Sequence, residues 1–254
     1  VRYRLSLRFR RLSTGAKVSP VSNPKEIDDC TFWLDFSDSN MLFTDDWSTN
    51  VSSNDDLIYT AAEKVDWDAF QQATESRRPL WKTNSKNGLS TAYFNSDELR
   101  MTNTSILSLI SENQGTFIVV LYPTYPYAND FVRIMYLEAS DDTNYFELTN
   151  WEDNFGWGYG DNASANASIS ALPERWQILT CVREGADYYM YIDGKAQGSG
   201  AFGSDVSSGS GSLYMGDNWE CVWWCGESII YDRALSKGER LSVEAYLNNR
   251  WAIY

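Results

Sequence analysis

The sequence predicts an all-β fold, with two antiparallel sheets packed face to face and one short helix near the C-terminal end. Aromatic residues make up 15% of the 254, which suits the pleated, half-buried surfaces of strands. Short apolar or alternating runs recur with turn residues between them, and no repeat of roughly 20 to 50 residues is present. Near the end, Val243, Leu247 and Trp251 recur every four residues behind Ser236 and Glu239, which have the spacing of a capping box. That stripe needs a sheet surface to lie on.

Residues 1–12 read VRYRLSLRFRRL. Arg2, Arg4, Arg8 and Arg10 fall on one side of an extended strand, and Tyr3, Leu5, Leu7 and Phe9 on the other, with Arg11 following. Such a strand suits either of two places: an added strand of this same domain, or a neighbouring protein reached by strand addition. Residues 13–26, with Gly15, Pro20 and Pro24, read as a linker. The chain therefore divides into a basic arm and linker, 1–26, and one domain, 27–254.

Within the domain, strands are expected at residues 31–36, 91–101 and 116–122, the last a solid apolar run that belongs in the middle of a sheet. Residues 133–138, 145–149 and 155–159 read as an antiparallel meander. Residues 175–184 and 188–193 form a hairpin across Gly185. Two further strands, 212–215 and 227–231, bracket a loop rich in Trp and Cys. Residues 37–56 read as a long loop, 64–83 as strand-poor covering structure, 105–110 as a single helical turn, and the Gly- and Ser-rich 198–211 as a flexible loop.

The formal charge of −14 is unevenly spread. Residues 1–17 carry six basic side chains and no acid, so the remainder stands at −20. That body repels nucleic acid and anionic membranes over a Debye length of about 8 Å at physiological salt. No apolar run approaches the roughly 18 residues of a membrane span, and a soluble chain is expected. Histidine is absent, which excludes Ser-His-Asp and Cys-His catalysis. Four cysteines, Cys30, Cys181, Cys221 and Cys225, permit three pairings. Cys221 and Cys225 can bridge only if the chain between them turns tightly.

Two aromatic segments have the chemistry of sugar recognition, in which rings take C–H faces and Asp or Asn take hydroxyls. One holds Trp151, Trp157 and Tyr159; the other holds Asp217, Asn218, Trp219 and Trp223. The alternative is core packing, because the alternation in Phe155-Gly156-Trp157-Gly158-Tyr159 puts all three rings on one face. Residues 122–127, also aromatic, suit a rigid turn equally well. Sequons stand at Asn50, Asn103, Asn162 and Asn166.

The closing run Ile229-Ile230-Tyr231-Asp232-Arg233-Ala234-Leu235-Ser236, continued by Glu239-Arg240, Val243-Glu244, Tyr246-Leu247 and Arg250-Trp251, resembles the end of LamG-like jelly-roll domains in the concanavalin A-like lectin and glucanase superfamily. Trp33-Leu34-Asp35-Phe36, Arg78-Pro79, Phe94-Asn95-Ser96-Asp97-Glu98-Leu99, Trp176-Gln177-Ile178-Leu179 and Tyr191-Ile192-Asp193-Gly194-Lys195 extend the resemblance from residue 30 to residue 251.

The resemblance implies a two-sheet jelly roll and a glycan or other surface ligand. Glucanases of the superfamily set acids on one strand face as Glu-x-Asp-x-x-Glu. Here Glu26-Ile27-Asp28 begins that pattern, but Thr31 stands in place of the second glutamate, so the expectation is a binding module and not an enzyme, with a purely structural virion assembly role without a ligand as the alternative and a glycoside hydrolase or lyase behind both. Calcium is a further feature of the family, for which residues 141–144 and Asp217-Asn218 could supply oxygens. With its basic arm, the chain resembles phage virion appendage or decoration proteins. That resemblance implies a location on a virion surface or outside the cell, homo-oligomers, and partner contacts through Arg2, Arg4, Arg8, Arg10 and Arg11.

Overall fold

Side-chain alternation along each strand sorts this chain into two apolar layers, one between the sheets and one beneath the helix. The structure, a computed structural model, describes residues 19–103, 113–124, 131–139, 145–151, 154–160, 167–170, 174–202, 211–216 and 222–254. Among these the first strands are β1 (Cys30–Asp35), β2 (Leu42–Phe43), β3 (Asp56–Leu57), β4 (Thr60–Ala62), β5 (Ala69–Gln71), β6 (Leu80–Lys86) and β7 (Leu89–Asn95). They are followed by β8 (Glu98–Asn103), β9 (Gln114–Pro123), β10 (Phe131–Ala139), β11 (Tyr145–Trp151), β12 (Asn154–Gly160) and β13 (Ala167–Ser170). The chain continues through β14 (Gln177–Glu184), β15 (Asp187–Ile192), β16 (Lys195–Ala201), β17 (Gly211–Gly216) and β18 (Val222–Tyr231) to α1 (Lys237–Trp251). No helix of the described residues is long and apolar enough to cross a membrane.

The first sheet runs β16-β15-β14-β9-β18-β7-β6-β3, with β1 added along β18; the second runs β13-β12-β11-β10-β17-β8-β5-β4-β2. Neighbouring strands are antiparallel, as the jelly roll requires. On β9, Phe117, Val119 and Leu121 face the layer between the sheets, whereas Ile118 and Val120 face the helix. Being covered on both sides explains why this strand reads as an unbroken apolar run.

Several expected boundaries shift. The run 91–101 is two strands that enter different sheets, broken where Ser96 takes φ +59° and the Asp97 carboxylate accepts the Asn95 N–H at 2.9 Å. The strand-poor reading of 64–83 gives way to β5 and most of β6, and the Gly-rich 198–211 begins within β16. Trp223 and Trp224 belong to β18, which extends back to Val222 through what reads as the Trp-rich loop. The helical turn expected at 105–110 lies outside the described residues.

Helix α1 starts as its sequence dictates. The Ser236 N–H donates to Glu239 Oε2 at 2.8 Å and the Glu239 N–H to Ser236 Oγ at 3.4 Å. Val243, Leu247 and Trp251 are fully buried against Ile118, Val120, Ile178 and Ile229. The Trp251 ring lies so close to the backbone of β18 that a Cβ on Gly226 would stand 2.8 Å from it. Glycine at 226 is what lets the indole in.

Polar groups fix the far end of the same helix. Asp35 and Glu227 face each other across β1 and β18, both fully buried. Glu227 accepts the indole N–H of Trp251 at 2.7 Å and of Trp33 at 2.9 Å, and the Tyr246 hydroxyl at 3.3 Å. Arg250 bridges the two acids, with Nε 2.9 Å from Glu227 Oε1 and Nη2 2.8 Å from Asp35 Oδ2. Lys64 Nζ completes the balance at 2.8 Å from Asp35. Burial and the neighbouring Asp35 charge push Glu227 up to about 7, against the pull of Arg250 and the indole donors.

Replacing Trp251 by Ala removes a buried ring and orphans an acceptor. Urea unfolding of W251A is expected to show a loss of about 3–5 kcal/mol, and W251F, which restores the ring without the N–H, should recover part of it. A second expectation concerns pH. Glu227 holds its proton more tightly folded than unfolded, so its contribution is full below about pH 4.5 and fades as pH rises through about 7. Unfolding midpoints measured across that window should fall less steeply for E227Q than for the wild type.

Candidate functional site

Helix α1 covers the outside of the first sheet, which leaves the outside of the second as the broad sheet face. Its register places eight positions in one line. Gly158, Glu147, Tyr136, Tyr214, Arg100, Gln71, Thr60 and Phe43 are successive partners on β12, β11, β10, β17, β8, β5, β4 and β2. Their chain neighbours Leu148, Met135, Leu213, Leu99, Phe70, Ala61 and Leu42 are buried between the sheets. Alternate residues of a strand face opposite ways, so the row faces outward. A bulge in β10 lets Ile134 and Met135 both point inward while Arg133 and Tyr136 stay on the outer face.

The middle of the row is a four-membered stack. Tyr136 and Tyr214 lie 4.5 Å apart with rings inclined by 1°. Arg133 caps Tyr136 at 4.8 Å and Arg100 caps Tyr214 at 5.0 Å. Each cation–π contact contributes about 0.5–1 kcal/mol, and together they hold the four side chains in one arrangement. Arg133 also stands 3.4 Å from the Glu147 carboxylate, and Arg100 donates to Ser212 Oγ at 3.1 Å. Beyond them, Gln71 Nε2 donates to Asp46 Oδ1 at 3.0 Å. Phe43 meets the Trp47 ring at 5.3 Å. Within the row Tyr136, Arg100 and Gln71 reach solvent, while Gly158, Glu147, Tyr214, Thr60 and Phe43 are buried. The tyrosine faces are taken by each other and by guanidinium groups, so the open polar edges are those of Arg100 and Gln71. Two cations, Arg100 and Arg133, balance two acids, Glu147 and Asp46.

Two of the residues expected to contact a ligand are instead core. Trp157 is fully buried, its ring 5.0 Å from Phe202 and 6.1 Å from Phe117. Trp223 is 1% exposed and stacks on Phe94 at 4.5 Å. The physical reason is the alternation in FGWGYG: Phe155 and Trp157 turn inward, and the intervening positions on the outer side of the strand are glycines, Gly156 half-buried and Gly158 buried. Trp151 pairs with Asn154 and Tyr159 with Phe146 on the second sheet, and of these two the backbone alone is described. Asp217, Asn218 and Trp219 lie outside the described residues, as do Arg2, Arg4, Arg8, Arg10 and Arg11 of the arm and the oxygen cluster at 141–144.

Cys225 is a buried free thiol, so the bridge to Cys221 is not formed; Cys30 and Cys181 are free as well. Burial in apolar surroundings pushes the Cys225 thiol well up. Among the described residues no group of three Cys, Asp or Glu side chains is placed to hold a metal ion.

The residues of the row carry a signal in the sequence itself. Leu99-Arg100-Met101 and Leu213-Tyr214-Met215 each set one polar or aromatic residue between two apolar ones, the mark of an outward position on a half-buried strand. Their lateral alignment depends on register, which no single strand reveals.

Comparison with known proteins agrees with this architecture. Domain 4 of AbnA, an extracellular arabinanase of Geobacillus stearothermophilus solved in complex with arabinotriose, superposes with a TM-score of 0.55 at 17% identity, covering 86% of this chain and 98% of that one. The receptor-binding domain of botulinum neurotoxin type G gives 0.54 at 11% identity over 87% of this chain and 52% of that one. Trypanosoma rangeli sialidase gives 0.55 at 9% identity over 88% and 33%. The chain thus spans about half of the neurotoxin domain and a third of the sialidase. At these identities the likeness is one of fold. No curated protein sequence matches the chain. The sequence model of one family does match, over residues 91–239, more than half of the chain and most of both sheets. The chain belongs to the concanavalin A-like lectin/glucanases superfamily.

Proposed function

We propose that this protein is a non-catalytic module that holds a glycan against the outer face of its second sheet. The observation that carries this reading is the row itself, polar and aromatic side chains in lateral register over Glu147, Tyr136, Tyr214, Arg100 and Gln71. A sheet face that presents fixed donors and acceptors binds without reordering its own side chains. The arabinotriose complex of the arabinanase domain, which this fold resembles over nearly its whole length, supports a saccharide ligand.

Holding is favoured over hydrolysis because retaining and inverting glycosidases work with two carboxyl groups. The two acids of the described site, Glu147 on β11 and Asp46 at Gln71 of β5, stand about four strand spacings, roughly 19 Å, apart, and Arg133 engages Glu147. The basic arm, set against an acidic body, supports anchorage of the module to a larger assembly. A virion surface is the assembly we propose, with several copies displayed together.

A glycan array followed by calorimetric titration tests the reading. R100Q and Q71A should each weaken binding about tenfold, the loss of one or two hydrogen bonds to a ligand, with the fold retained and melting midpoints lowered no further than the loss of one cation–π contact or one hydrogen bond accounts for. Undiminished binding by both variants would place the ligand elsewhere. Release of reducing sugar from a bound polysaccharide would overturn the non-catalytic assignment.

A further inference from the structure

We infer that Trp47 is the stacking platform of this site, and that the ligand it serves is a neutral, linear oligosaccharide lying along the row toward the β2 edge. The inference rests on the glycan reading above and adds to it a residue and a ligand class.

Trp47 stands where the row ends. Phe43, the last position, shares the outer face with Thr60, and the Trp47 ring leans on it at 5.3 Å. Trp47 keeps 41% of its surface in water while Phe43 keeps 8%. One side of the indole is therefore packed and the other open. The loop that presents it is closed by hydrogen bonds. The Asp45 carboxylate accepts the Ser48 N–H, the Thr49 N–H and the Ser48 hydroxyl, and the Thr44 N–H donates to Thr49 O. Within that loop Trp47 takes φ +71°, a conformation that bulky side chains rarely adopt and that persists where surrounding contacts fix it. The loop is tied to the row itself, since Thr60 Oγ1 donates to Asp45 O and Gln71 Nε2 to Asp46 Oδ1.

A sugar ring needs an open aromatic face, and the stacked tyrosines do not supply one. Their faces are spent on each other and on Arg133 and Arg100. Trp47 supplies it, with the Asp46 carboxylate beside it to accept hydroxyls. From Tyr136 to Phe43 the row crosses five strand spacings, about 24 Å, a length that suits an extended chain better than a single sugar. The charge pattern selects a neutral one. Arg100 and Arg133 are matched by Glu147 and Asp46 within a chain of net charge −14, so an anionic chain meets repulsion without compensation.

Trp67 provides a matched control. It is 61% exposed, takes φ +67°, and sits in a loop closed by a carboxylate, that of Glu63, which accepts three backbone N–H groups. It lies at the tip of the β4–β5 hairpin, whereas Trp47 lies by the Thr60 and Gln71 end.

The test applies the full chain to an array of neutral and uronate oligosaccharides, including arabinotriose, cellotriose and trigalacturonate, and then titrates the bound sugars while following indole fluorescence. Neutral chains are expected to bind and to shift the fluorescence. W47A should lose that shift and about tenfold in affinity, W47F should recover most of the affinity, and W67A should match the wild type. Wild-type affinity in W47A, with R100Q still impaired, would overturn the platform and leave the glycan reading intact. Tighter binding of trigalacturonate than of neutral chains would overturn the ligand class. Absence of binding across the array would remove the glycan reading and this inference together.

Discussion

One buried carboxylate ties the parts of this molecule together. Glu227 sits at the point where the edge of β18 passes from β7 to β1, and it receives indole donors from both β1 and α1. A charge in that position is costly to bury unless it is paired and fully hydrogen-bonded. Arg250 and Tyr246, both from the helix, meet that requirement. The helix can therefore dock in one place only: its apolar stripe would tolerate a shift along the sheet, but its polar end would not. Gly226 adds a steric condition to the electrostatic one, because the Trp251 ring occupies the space a side chain would fill.

Much of this was legible in the sequence. The capping box of Ser236 and Glu239, the stripe of Val243, Leu247 and Trp251, and the apolar run of β9 all belong to short windows in which local physics decides the outcome. The Asp35–Glu227 pair was not legible, because its partners come from ends of the chain nearly two hundred residues apart. Nor was the break at Ser96, where a non-glycine residue accepts φ +59° and sends consecutive strands into opposite sheets.

The site shows the same division more sharply. Tryptophan content drew attention to Trp157 and Trp223, and both prove to be core. The residues on the outer side of the second sheet are the plain ones, Arg100, Gln71, Glu147 and Tyr214, the last two largely covered, and none of them stands out in its own segment. What groups them is lateral register across eight strands, a property of pairing and not of composition. Trp47 was hidden in a different way, inside a polar stretch that reads as loop, where one residue in a left-handed conformation is set by an aspartate two positions earlier.

The helix-covered sheet and the row-bearing sheet share an interior but not an exterior. If the row holds the proposed glycan, substitutions on the helix-covered face are felt as folding defects, while those on the row change what is held. Under the glycan reading, such a division would let a lineage vary Arg100, Gln71 or Trp47 at a smaller cost in stability than the buried groups around Glu227. The scaffold is in this sense evolvable on one side and constrained on the other, and divergence among relatives should be concentrated on the row.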